Sequence, residues 1–216
     1  MTETGGAAGR SWPRRHAVAL LSAAALALGV LGTVGITQLV RSHPTPAPAQ
    51  AQYLPPIGRQ PTPAAPFVLK DQAGQAVSLA SLRGRTVLLA FLDPLCKNVC
   101  PIMGQELAAL EQGLPPDKTP ALVIISVAPD RTPADVSHFV AKVTWRPGWH
   151  WLLGSQAQLA PVWAAYHVFV DGSAADVVHD AVLLIIDPKG RISTEYNAPL
   201  PLTEVNTSLK AADAAR

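Results

Sequence analysis

The chain has 216 residues, 49% of them hydrophobic and only 15% charged, so it holds one ordinary domain plus extensions and is too apolar for a soluble domain alone. The net charge of +2 hides an asymmetry: residues 1–41 carry four Arg and one Glu, while the rest carries 13 Lys plus Arg against 14 Asp plus Glu, a net of −1 that argues against a nucleic-acid partner. Two cysteines build neither a disulfide scaffold nor a four-cysteine zinc site.

Residues 1–16 are polar and Gly-rich and end in Arg14-Arg15-His16. From Ala17 to Val40 there are 24 residues without a charge. As a helix they measure about 36 Å, enough for a hydrocarbon core of about 30 Å. Arg10, Arg14 and Arg15 precede the stretch, which assigns residues 1–16 to the cytoplasm. The expectation is a single-pass, uncleaved anchor at 17–40 in a bacterial inner membrane, with the domain on the periplasmic side. The competing reading is a cleaved signal peptide, with Ala47-Pro48-Ala49 as the cleavage site. Residues 41–66 are rich in Pro and read as a semi-rigid tether of polyproline character.

The domain is expected over 67–216. Phe67–Asp71 and Ala76–Leu79 flank a Gly-containing turn and predict a hairpin. The apolar run 86–92 predicts a buried strand, and Pro101 opens a helix to about 113. Ala121–Val127 is a second buried strand, and Thr132-Pro133-Ala134-Asp135 opens a helix to about Lys142. A short strand at 149–153, a helix at 156–166, strands at 182–187 and 191–195 and a last helix at 202–212 follow, with Val177-Val178 forming or flanking a strand. Strands alternating with helices predict an α/β fold with a mixed sheet flanked by helices, in a thioredoxin-like order.

Cys96 and Cys100 lie at the turn between the 86–92 strand and the next helix. Backbone N–H groups and the helix dipole favour a thiolate there, the form that binds soft metals and attacks disulfides. At i and i+4 of a helical turn the two sulfurs share a face and could hold one metal ion or close a disulfide. The plainer reading is a structural disulfide or two buried thiols, although a loop of three residues staples almost nothing.

The run Cys96-Lys97-Asn98-Val99-Cys100-Pro101 after an apolar strand is one of three segments that resemble the Sco/SenC family. The others are Ser126-Val127-Ala128-Pro129-Asp130-Arg131-Thr132-Pro133 and His179 ahead of Ala181–Ile186 and Asp187-Pro188-Lys189-Gly190. The resemblance covers roughly residues 64–205. That family consists of membrane-anchored, thioredoxin-like copper proteins that help assemble the dinuclear copper site of cytochrome c oxidase. The resemblance implies Cys96, Cys100 and His179 as metal ligands, with copper as Cu(I) and also Cu(II). It implies the copper-site subunit of the oxidase as partner, with another copper chaperone or a thiol reductant beside it.

Thiolates select Cu(I), and an imidazole suits both copper states, so the donor set agrees with the implied metal. Among the other histidines, His16 and His43 precede the domain. His138 lies in a helix and His150 between two Trp, both read as surface or packed residues. His167 stands at a helix end, where a cation suits the dipole. Asp93 is either a tuner of the site or a turn residue before Pro94. Trp145, Trp149, Trp151 and Trp163 read as core aromatics more readily than as a docking patch. The chain departs from the family pattern at Val178, where an acidic residue is common, at Ala128, where Asp is common, and at Asp93-Pro94-Leu95. Two functions compete. One is a copper metallochaperone, which needs all three ligands. The other is a thiol–disulfide oxidoreductase, in which Cys96 and Cys100 are the redox pair and His179 is dispensable.

Overall fold

The computed structural model describes residues 61–172 and 177–215. The expected anchor at 17–40 and most of the expected tether lie outside them. Among the described residues no helix is long and apolar enough to cross a membrane.

In chain order these residues form β1 (Thr62–Pro63), β2 (Val68–Asp71), β3 (Ala76–Ser78), β4 (Val87–Leu92), α1 (Val99–Gln112), β5 (Ala121–Ser126), α2 (Pro133–Val143), β6 (His150–Leu153), α3 (Gln156–Ala165), β7 (Val170–Asp171), β8 (Val178–His179), β9 (Val182–Ile186), β10 (Arg191–Asn197) and α4 (Leu202–Asp213). Eight strands build one mixed sheet in the order β1-β10-β9-β4-β5-β6-β2-β3, and β7 pairs with β8 in a separate ribbon. β4, β5 and β6 run parallel, while β9 lies antiparallel to β4.

β4 and β5 are buried at every position, as central strands covered on both faces must be. Their side chains alternate between two cores. Leu88, Ala90, Leu92, Leu122 and Ile124 pack with Met103 and Leu107 of α1, Phe139 of α2 and Val205 of α4. Val87, Leu89, Phe91, Val123 and Ile125 pack with Leu159 and Trp163 of α3 and with Phe67 and Val77 at the hairpin. The result is the expected mixed sheet with helices on both faces.

Two expectations need correction. α1 begins at Val99, two residues before the expected start, and so takes Cys100 into its first turn. Pro101 fits there because the first N–H groups of a helix have no intrahelical partner to lose. Upstream, Thr62 and Pro63, in the stretch read as tether, pair with Ile192 and Arg191 of β10. They sit at the sheet's outer edge, where Pro's missing donor is tolerated.

α1 is locked against α2 at Gly104. A Cβ there would stand 2.9 Å from Val143 and 3.0 Å from Phe139, so only glycine permits this approach. The bare Gly104 carbonyl also accepts the Trp145 indole N–H at 2.8 Å.

Candidate metal and thiol site

Because β4 and β9 are antiparallel, with Ala90 opposite Leu183, the end of β4 lies beside the start of β9. Residues 96–100 leave the first, and His179 leads into the second. Two chain segments some 80 residues apart therefore meet at one end of the sheet.

β4 ends in a tight turn. The Asp93 carboxylate accepts the Leu95 N–H at 3.0 Å. The Asp93 carbonyl accepts the Cys96 N–H at 3.2 Å. Cys96 is half-buried, Cys100 is fully buried, and both are free thiols. Burial pushes the Cys100 thiol well above the ordinary thiol range. The neighbouring Cys96 and the Asp93 charge push the same way, and a backbone hydrogen bond from Asp93 opposes them without prevailing. The turn and the helix dipole favour a thiolate, but at Cys100 desolvation wins, and the sulfur keeps its proton.

His179 Nε2 stands 3.4 Å from Cys100 Sγ. Its Nδ1 is 2.9 Å from the Asp180 carbonyl oxygen, which can only accept, so Nδ1 carries the ring proton. Nε2 then presents a lone pair to the thiol. A carbonyl that fixes the tautomer and aims the free nitrogen is the usual support of a metal-ligating histidine. Nitrogen and sulfur donors at about 2.0–2.3 Å from one ion lie about 3.4–3.6 Å apart, so the observed pair is already at ligand spacing. Among the described residues no three His, Cys, Asp or Glu side chains are drawn together as a complete metal site.

The open alternatives are decided by contacts. Asp93 is a turn residue whose carboxylate is also gripped by Arg131, at 2.9 Å on each oxygen. His150 bonds Asp71 at 3.0 Å, and His138 and His167 are exposed. Trp145 stacks on Trp151 and meets Trp149 edge-on, while Trp163 is buried and donates to the Ser126 carbonyl, so these aromatics are packing groups. Sequence reasoning missed two features. One is β7 and its pairing with β8, the strand expected at or beside Val177-Val178; in this ribbon Val170 faces His179 and Asp180 bonds Phe169 twice. The other is the Arg131 grip, legible only once β4 and β5 are known to be parallel neighbours. Leu95, Ile102, Phe169 and Val178 are large apolar side chains 43–57% exposed; Leu95 and Val178 adjoin Cys96 and His179 in the chain, Ile102 is two residues past Cys100, and Phe169 is hydrogen-bonded to Asp180.

A SCO1/SenC family model matches residues 57–212. The SCO1 protein homolog of Bacillus subtilis is 26% identical over 156 residues, 68% of this chain and 81% of that protein. The copper-bound structure of ScoI from Bradyrhizobium japonicum is 28% identical, with a TM-score of 0.56 over 70% of this chain and 99% of that one. The structure of BsSco, named as a member of the Sco family of cytochrome c oxidase assembly proteins, is 24% identical, with a TM-score of 0.64 over 75% and 98%.

Proposed function

The chain belongs to the SCO1/SenC family, and on that premise we propose that it is a copper metallochaperone whose cargo is held by Cys96, Cys100 and His179. The observation that carries this reading is the 3.4 Å approach of His179 Nε2 to Cys100 Sγ, with Nδ1 tied to a carbonyl. A structural histidine has no need to turn its lone pair toward a buried thiol. Copper is the cargo: thiolates select Cu(I), and the added nitrogen suits Cu(II). The bound copper of the Bradyrhizobium structure agrees.

Loading follows from the local chemistry. Cys96, half-buried at the rim, meets the ion first. Cys100 then gives up its proton, for which His179 Nε2 stands as acceptor 3.4 Å away, and the nitrogen lone pair is freed again when that proton passes to solvent. The receiving partner is the copper-site subunit of cytochrome c oxidase. The exposed Leu95, Ile102, Phe169 and Val178 give it an apolar rim to dock on. Residues 17–40 anchor the protein in the membrane, with the domain on the periplasmic side.

A thiol–disulfide reductase is the second reading, favoured by the contrast between an accessible Cys96 and a buried Cys100. Titration with Cu(I) before and after oxidation tests the first reading. The reduced protein takes up one ion per chain, and the disulfide form none, because the bond consumes both soft donors. Equal uptake in both states would place copper elsewhere and leave the reductase reading standing.

A further inference from the structure

We propose that Asp93 and Arg131 act as positioning residues, a clamp that holds the Cys96 turn at the distance from which its sulfur reaches Cys100. This rests on the reading of the two cysteines as a working thiol pair. Asp93 is 4% exposed and lies directly past the end of β4. Arg131 lies in the connection between β5 and α2, 38 residues away. The guanidinium takes both carboxylate oxygens through Nε and Nη2, at 2.9 Å each. One of those oxygens also accepts the Leu95 N–H, and the Asp93 carbonyl accepts the Cys96 N–H. One residue thus closes the turn on both sides of Leu95, and Arg131 fixes that residue.

Arg131 is itself held. Asp130 before it has φ +60 and bonds the Gly154 carbonyl. Thr132 after it caps α2 through a reciprocal bond with Asp135. The Leu92 carbonyl accepts the Val127 N–H, which ties the two loops together at their roots. Three hydrogen bonds engage the Asp93 carboxylate, two from Arg131 and one from the Leu95 N–H. What the pair supplies is rigidity. Cys100 rides on a locked helix, whereas Cys96 sits on a turn whose order depends on Asp93. Bidentate geometry of this kind is beyond a lysine.

Disulfide formation measures this directly, without copper. Two thiols give up two protons and two electrons, and the cyclic disulfide of oxidised dithiothreitol takes them and becomes the dithiol. The equilibrium constant reports the effective concentration of one sulfur at the other. It is to be measured at one pH on the full-length protein and on Asp93→Asn, Arg131→Lys, Arg131→Ala and the Asp93→Asn/Arg131→Ala double variant. Asp93→Asn keeps one oxygen as acceptor for the Leu95 N–H and puts an NH2 donor in place of the other, so it removes the charge and one arm of the Arg131 grip.

Each of the Asn and Ala variants is expected to lower the constant at least tenfold, an upward shift of about 30 mV in reduction potential. The double variant should lose no more than the worse single one, and Arg131→Lys should recover part of the loss. Should Arg131→Ala fail to fold, Asp93→Asn and Arg131→Lys decide the matter. Folded variants within twofold of wild type, or losses that simply add, overturn the clamp. A wild-type protein that forms no internal disulfide and takes up no copper overturns the functional reading on which the clamp rests.

Discussion

Replacing Gly104 by Ala tests how firmly the helix bearing Cys100 is held. The new Cβ would stand 2.9 Å from Val143 Cγ1 and 3.0 Å from two ring carbons of Phe139. Carbon pairs rest at about 3.5–4.0 Å, so three contacts fall short by about half an ångström or more. Neither neighbour can swing aside. Both are 3% exposed, and Phe139 is wedged against Trp145 and Trp151. Overpacking of a closed core costs about 1–3 kcal/mol, and the better helix propensity of Ala returns up to about 1 kcal/mol. The expected net loss is about 1 kcal/mol, which lowers Tm by about 2–4 °C in a domain of this size. Urea unfolding should show a lower midpoint at an unchanged slope. A variant as stable as wild type, or more stable, would refute the claim that α1 and α2 are at their closest approach.

Two further outcomes are expected. Cys100 keeps its proton in the folded protein above the pH where an unfolded thiol, near 9.0, would lose it. Its contribution is therefore complete below pH 9.0 and falls as pH rises beyond it, by up to about 1.4 kcal/mol per pH unit. Tyr166, also raised by burial, adds a loss of the same sign above its ordinary 10.0. Urea midpoints compared at pH 8 and above 9 in wild type and Cys100→Ala should show the first loss only in wild type. For the segment outside the described residues, high-salt and alkaline washes should leave the full-length protein in the membrane; release of a shorter soluble form beginning near residue 50 would count against an uncleaved anchor.

The strands were readable because each central run is short, apolar and rich in branched residues, and because α2 and α3 open on Thr-Pro and Ser. The antiparallel placement of β9 against β4 is what lets His179 meet the cysteines, and it is a property of the sheet and not of either strand alone. Local sequence reads less well where a tertiary contact decides. α1 starts early because its first turn is packed: Cys100 is wholly buried. The same burial reversed the thiolate expectation at Cys100, since the dipole of a helix end is screened and weak while desolvation of a sulfur anion is not. Asp93 could not be assigned from its neighbours because its decisive partner, Arg131, comes from another loop. The β7–β8 ribbon has only two residues per strand, below the length at which alternation carries a signal.

The most direct test of the account is the affinity of the reduced protein for Cu(I) and Cu(II), measured in wild type and in His179→Ala. The account expects Cu(II) binding to fall far more than Cu(I) binding. Two thiolates hold Cu(I) between them, while Cu(II) needs the nitrogen that His179 Nε2 aims at Cys100. Disulfide formation between Cys96 and Cys100 should be largely intact in the same variant. Unchanged affinity for both ions would contradict the account: His179 would then be a structural histidine beside a thiol, and the reductase reading would take its place.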